Sequence, residues 1–201
     1  VKQALPSHLR RRVEAVVIGA SAGGIDALLG LLSGLPAASR IPKVVVLHLP
    51  EGHDSRLAEV FGERVAMPVR EAADKMPLAA GTLYFAPPGY HLSIERDRCF
   101  SLSCEPPVLF SRPSIDVLMA SAADVYGAGL AGLLLTGAND DGAEGMERIH
   151  RAGGLTAVQD PQEALVSVMP NAAIARHSPD FVLPLRDLHT LLLHLEAAHG
   201  H

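Results

Sequence analysis

At 201 residues, 48% of them hydrophobic and 19% charged, the chain is long enough for one domain with a substantial apolar core. A net charge of −5 and a pI near 6.0 argue against an electrostatic grip on nucleic acid. Aromatic residues are 4% and Trp is absent, so the core must be built of Val, Leu, Ile and Ala, a composition suited to parallel strands covered on both faces.

Residues 1–12 (VKQALPSHLRRR) form a polar tail or linker, with Arg10-Arg11-Arg12 a solvated charge cluster, and a single domain is expected over 13–198. EAVVIG (14–19) is a short β-branched run ending in Gly, hence a buried strand. GASAGG follows, then a helix over 25–35 that Pro36 stops. KVVVLHLP (43–50) is a second buried strand, and SRLAEVFGER (55–64) a helix.

The middle changes character. TLYFAPP (82–88), YHLSIERD (90–97) and RCFSLS (98–103) alternate apolar and polar residues and predict short antiparallel strands with one wet face. A helix over 114–127 is entered through Pro113 in its first turn, and LAGLLLTG (130–137) is another buried strand. A helix over 143–154, a strand over 155–160, a short helix over 169–178 and a closing helix over 186–198 complete the pattern. Alternating strands and helices imply an α/β fold: a doubly wound, mostly parallel sheet with helices on both faces and a small antiparallel hairpin insert. Cys99 and Cys104 are expected reduced and buried, since two cysteines make neither a disulfide framework nor a zinc site. No signal-peptide pattern opens the chain and no apolar run could span a bilayer, so a cytoplasmic protein without membrane insertion is expected.

The sharpest local signal is strand–GASAGG–helix at 19–24. Such a turn can cradle a phosphate, but Ser21 stands where a dinucleotide fingerprint needs its second glycine, and the Walker lysine is missing. It can also be a plain tight turn. Or it is a nucleophile elbow, because Gly19-Ala20-Ser21-Ala22-Gly23 fits G-x-S-x-G between strand and helix. In that case the N–H groups of Ala22 and Gly23 and the helix start would face an oxyanion.

A serine hydroxyl needs a base, and His48 lies at the C-terminal end of the second strand, the edge where doubly wound sheets bind ligands. The other histidines fall mostly in loops, on helix surfaces or in tails. Asp140 and Asp141 follow the strand at 130–137, and either could orient the imidazole or merely cap a helix. The order Ser…His…Asp differs from the Ser…Asp…His order of α/β-hydrolases.

Taken together, VVIGASAGGIDAL, VVVLHLP, LYFAPPGYHL, SRPSIDVLMASAA, LLLTGANDDGAEGM and SVMPNAAI resemble, in the same order, the catalytic domain of the chemotaxis protein-glutamate methylesterase (CheB) family, over residues 14–195. The resemblance implies hydrolysis of glutamyl methyl esters on chemoreceptor helices, often with deamidation of glutamines, and calls for no metal or organic cofactor. It matches Ser21 to the nucleophile, His48 to the base and Asp141 to the triad aspartate, with the backbone of Ala138 lining the site. Departures are Ala22, where a hydroxyl residue is common; Ser111, where enteric members carry histidine; and Ala138-Asn139-Asp140 in place of Met-Gly-Asn. The family's usual receiver domain is a further expected partner, in cis or in trans. The alternatives are a small-molecule serine esterase or amidase, and a non-catalytic signalling module on the same fold.

Overall fold

The computed structural model describes residues 12–49 and 56–199; the tail expected over 1–12 lies outside them apart from Arg12, as do His53 and the start of the helix expected at 55. In chain order the first elements are β1 (Ala15–Ala20), α1 (Gly24–Leu32), β2 (Lys43–Leu47), α2 (Leu57–Gly62), β3 (Val69–Glu71) and β4 (Leu83–Phe85). A hairpin follows, β5 (His91–Ile94) and β6 (Phe100–Ser103), then α3 (Ile115–Tyr126) and β7 (Leu130–Leu134). The chain closes with α4 (Ala143–Arg151), β8 (Leu155–Gln159), α5 (Val168–Arg176), β9 (Phe181–Leu183) and α6 (Leu185–His199).

Seven strands form one parallel sheet in the order β3-β4-β2-β1-β7-β8-β9. The chain winds outward from β1 to one side through β2, then returns and winds to the other through β7, so the topological switch lies beside β1. β1, β2, β7 and β8 are buried at every residue, which is why β1 and β7 are wholly apolar and β2 and β8 mostly so, with buried Lys43, Thr156 and Gln159 each held by a hydrogen bond. Successive side chains point to opposite faces. Val16 and Ile18 join the cluster under α1, α2 and α6, whereas Ala15 and Val17 join the one under α3, α4 and the β5–β6 hairpin. Below the sheet, buried Lys43 at the start of β2 pairs with Glu196 of α6, Nζ to Oε1 2.6 Å, and so fixes the closing helix.

Several expectations change. β4 was expected in the antiparallel insert; it is a parallel strand of the main sheet, between β2 and β3. Both its faces are covered, so Leu83, Tyr84 and Phe85 are all buried and the apparent alternation of this segment carried no wet face. The edge strands β3 and β9 went unpredicted: three residues each leave no room for periodicity. Pro113 stands outside α3, whose cap is Ser114. Cys99 is half-buried and Cys104 exposed, rather than both buried, and neither is paired. Among the described residues no helix is long and apolar enough to cross a membrane.

Gly19 packs β1 against α3. A Cβ there would overlap Ile115 Cγ2 and stand 2.9 Å from Leu134 Cδ1. The β-branched Ile115 has no free end to move aside, so Gly19→Ala is expected to destabilise by about 1–3 kcal/mol in urea unfolding, the usual cost of overpacking.

Candidate active site

Ser21 follows β1 directly. Its N–H donates to Thr136 O at 2.9 Å and its carbonyl accepts from Gly24 N at 2.7 Å, which closes the elbow. The turn then needs a left-handed residue to launch α1, and Gly23 supplies it at φ 77. Thr136, just beyond β7, clamps the same turn: its Oγ1 lies 2.9 Å from Ala22 O and accepts from Val166 N at 2.9 Å.

His48 follows β2, with its N–H bonded to Ala20 O at 3.0 Å. Parallel register places it beside the elbow, since Ala20 pairs with Leu47. Ser21 and His48 line one open cleft of about 310 Å³ at the C-terminal edge of the sheet, with Ile25, Leu47 and Leu49 among its walls. The imidazole Nε2 lies 2.8 Å from Asp141 Oδ2. A carboxylate can only accept, so Nε2 carries the proton and Nδ1 is the basic nitrogen. Nδ1 sits 3.4 Å from the hydroxyl of Ser111, which Asn139 Nδ2 also reaches at 3.3 Å.

Asp141 is fully buried, while its neighbour Asp140 is exposed, and this decides between the two acids. Asp141 sits at the start of α3: Oδ1 accepts from Ser114 Oγ at 2.8 Å and Asp116 N at 3.0 Å, and Oδ2 from Ile115 N at 2.7 Å. Burial alone would raise its pKa. The hydrogen bonds from His48, the two backbone N–H groups and Ser114 outweigh it and hold the carboxyl below its ordinary value. The positive end of the α3 dipole favours the same charge.

The capping is reciprocal. Asp116, in the first turn of α3, accepts from Gly142 N at 2.9 Å and Gly145 N at 2.7 Å at the start of α4. Burial and the charge of Asp141 push Asp116 up to about 6, against those two N–H bonds. An unfolded aspartate titrates near ~3.9, so the native state holds the extra proton between those values and stability falls as pH rises from about 4 through 6. Asp141 acts in the opposite sense in a lower window, its contribution being lost as pH falls through its depressed value. Asp116→Asn keeps the acceptor and removes the charge. It is expected to flatten the loss between pH 4.5 and 7.5 in urea unfolding, and a slope equal to wild type would contradict the assignment.

Three of the sequence candidates thus converge: Ser21 and His48 share the cleft, and Asp141 holds His48. The oxyanion expectation needs one change. The N–H at the helix start, Gly24 N, is committed to Ser21 O, which leaves those of Ala22 and Gly23. Ala138 follows Gly137 beyond β7 and is exposed, and it is not among the residues that line the cleft. Sequence reasoning missed Ser114, Asp116, Thr136 and Asn139. Ser114 had a findable signal, a serine just ahead of a helix. His91, a buried strand residue, has its Nδ1 accepting from Ser114 N at 3.1 Å and thereby supports the α3 start.

Relatives share this arrangement of chain. The sequence pattern of one family, CheB methylesterase, matches residues 16–192. A protein of Leptospira interrogans named as a putative protein-glutamate methylesterase/protein-glutamine glutaminase is 44% identical over 183 residues, covering 91% of this chain and 95% of that protein. One from Anaeromyxobacter dehalogenans, named protein-glutamate methylesterase/protein-glutamine glutaminase 1, is 44% identical over 177 residues; the match covers 87% of this chain and 50% of that longer protein. The crystal structure of the Thermotoga maritima CheB methylesterase catalytic domain superposes with a TM-score of 0.87 at 30% identity, covering 91% of this chain and 98% of that one. A parallel sheet with this edge, and similarity along nearly its whole length, make the chain a member of the CheB methylesterase family.

Proposed function

We propose that the chain hydrolyses methyl esters of glutamyl side chains on chemoreceptors, and deamidates glutamines at such positions, with Ser21 as nucleophile, His48 as base and Asp141 as its orienting acid. The observation that carries this reading is the 2.8 Å bond from His48 Nε2 to buried Asp141, at the mouth that Ser21 shares. It fixes the tautomer that leaves Nδ1 free to take a proton.

The ester carbonyl is attacked by Ser21 Oγ as its proton passes to His48 Nδ1, and the oxyanion is met by the N–H groups of Ala22 and Gly23. The proton then goes to the departing methoxide, giving methanol, or for glutamine to the departing amine, giving ammonia. Water, deprotonated by His48, attacks the acyl-serine and releases the glutamate carboxylate and the free serine. Ser21 Oγ does not hydrogen-bond Nδ1 in the resting structure, where Ser111 faces that nitrogen. Attack therefore requires a small rotation of Ser21 or the imidazole, as is usual before substrate binds. Residues 13–198 are taken as the catalytic unit, and a receiver domain in cis or in trans as a regulatory partner. A fluorophosphonate probe should label wild-type protein at Ser21, located by mass spectrometry of the digest. Folded protein left unlabelled would contradict the nucleophile assignment.

A further inference from the structure

Beside the cleft the chain makes a two-residue turn that its own residues disfavour. Val108 and Ser111 pair as an antiparallel bridge, with Val108 N donating to Ser111 O at 3.1 Å and Ser111 N to Val108 O at 2.8 Å. Between them Leu109 and Phe110 both adopt left-handed backbone, φ 46 and 63. This is the turn that Asn-Gly ordinarily fills, because a Cβ is crowded there. The strain is not offset by packing, for Phe110 is wholly exposed and Leu109 nearly half so. Backbone strain of this kind clusters at functional segments.

The inner side of the turn is fastened to the catalytic residues. Asn139 Nδ2 reaches Leu109 O at 3.5 Å and Ser111 Oγ at 3.3 Å, and Ser111 Oγ lies 3.4 Å from His48 Nδ1. The phenyl ring is therefore displayed one residue away from the side chain that touches the general base. On the Ser21 side, exposed Leu165 lies over Gly23, whose Cβ position would be 2.7 Å from Leu165 Cδ2, and Ile25 is exposed in the cleft wall. Exposed apolar side chains thus stand in the cleft wall at Ile25, over Gly23 at Leu165, and next in the chain to Ser111, which faces His48, at Phe110.

We infer that Phe110, supported by Leu109, is a positioning residue that anchors the apolar face of the receptor helix carrying the esterified glutamate. The inference rests on the methylesterase reading. The cleft is open at the sheet edge, so a glutamyl side chain can enter it while the segment that bears it lies across the surface around it. On a helix, apolar residues three or four positions from the glutamate face the same way and meet the rim when the ester enters. Aromatic side chains, Phe among them, are enriched in protein interfaces relative to the rest of the surface.

The test is Phe110→Ala, measured as methanol release from methylated receptor membranes and as hydrolysis of p-nitrophenyl acetate. The expected result is a KM for receptor raised by about tenfold or more with kcat unchanged, and unaltered kinetics on the small ester. Phe110→Gly should show the same KM effect and unfold at or above the wild-type temperature, because glycine accepts the left-handed backbone. Wild-type receptor kinetics in Phe110→Ala would overturn the anchor and leave the esterase reading standing. A parallel loss on both substrates would overturn it too, by showing that the turn merely shapes His48. Wild-type protein that cleaves the small ester but no receptor ester would overturn the reading itself, and the anchor with it.

Discussion

Asp141→Ala is expected to lose stability and turnover together, and the size of both losses follows from its four bonds. The carboxylate accepts from Ser114 Oγ, Ile115 N, Asp116 N and His48 Nε2 while fully buried. Truncation strands the buried donors Ser114 Oγ and Ile115 N at the start of α3, and each buried unsatisfied group costs roughly 1–3 kcal/mol. The same change removes the nearby negative charge that repels the Asp116 carboxylate, which returns part of the loss. A net destabilisation of about 3–5 kcal/mol in urea unfolding is the expected result. Turnover should fall by about ten thousand-fold, because His48 loses the partner that fixes its tautomer. Asp141→Asn separates the two roles. Its one oxygen can still accept from Ser114 Oγ and Asp116 N, but its NH2 then faces Ile115 N and His48 Nε2 and cannot accept or stabilise an imidazolium, so it should unfold between the alanine variant and wild type while remaining nearly inactive. An alanine variant that unfolds like wild type would contradict the capping role, and an asparagine variant with near-normal turnover would contradict the catalytic one.

Ser21→Ala should behave in the opposite way, silent in stability and severe in activity. The bonds that shape the elbow are backbone bonds, Ser21 N to Thr136 O and Gly24 N to Ser21 O, and alanine retains both. Among the described residues the hydroxyl has no hydrogen-bond partner, and the site is partly open to solvent. Thermal unfolding should therefore shift by less than about 1 kcal/mol in stability, the range of substitutions away from the core. Ester hydrolysis should drop by about a million-fold, since the remaining groups can stabilise an oxyanion but supply no nucleophile. Retained hydrolysis in purified Ser21→Ala would place the nucleophile elsewhere.

The central part of this fold was legible because its physics is local. β1, β7 and the Val-rich body of β2 are short apolar runs of the kind a doubly covered parallel sheet buries, and the two-fold winding follows from the alternation of strands with helices. β4 was misassigned because TLYFAPP has the composition of a strand but nothing that states the direction of its neighbour; pairing with β2 is a tertiary fact. The proposed catalytic trio was visible as three polar residues at strand ends, and Asp141 was separated from Asp140 through the family resemblance rather than through spacing. What could not be seen was the support: Asp116 looks like an ordinary first-turn acid until α4 is packed against α3. The approach of Ser111 and Asn139 to His48 is likewise assembled by segments that are remote in sequence. The strained turn at Leu109-Phe110 was hidden for another reason, because nothing in those residue types announces left-handed backbone.

The measurement that bears most directly on the account is methanol release from methylated chemoreceptor membranes, wild type against Ser21→Ala. Release by the wild-type protein that disappears in the variant is the predicted result. Equal release from both, or none from folded wild-type protein that a fluorophosphonate labels at Ser21, would contradict it.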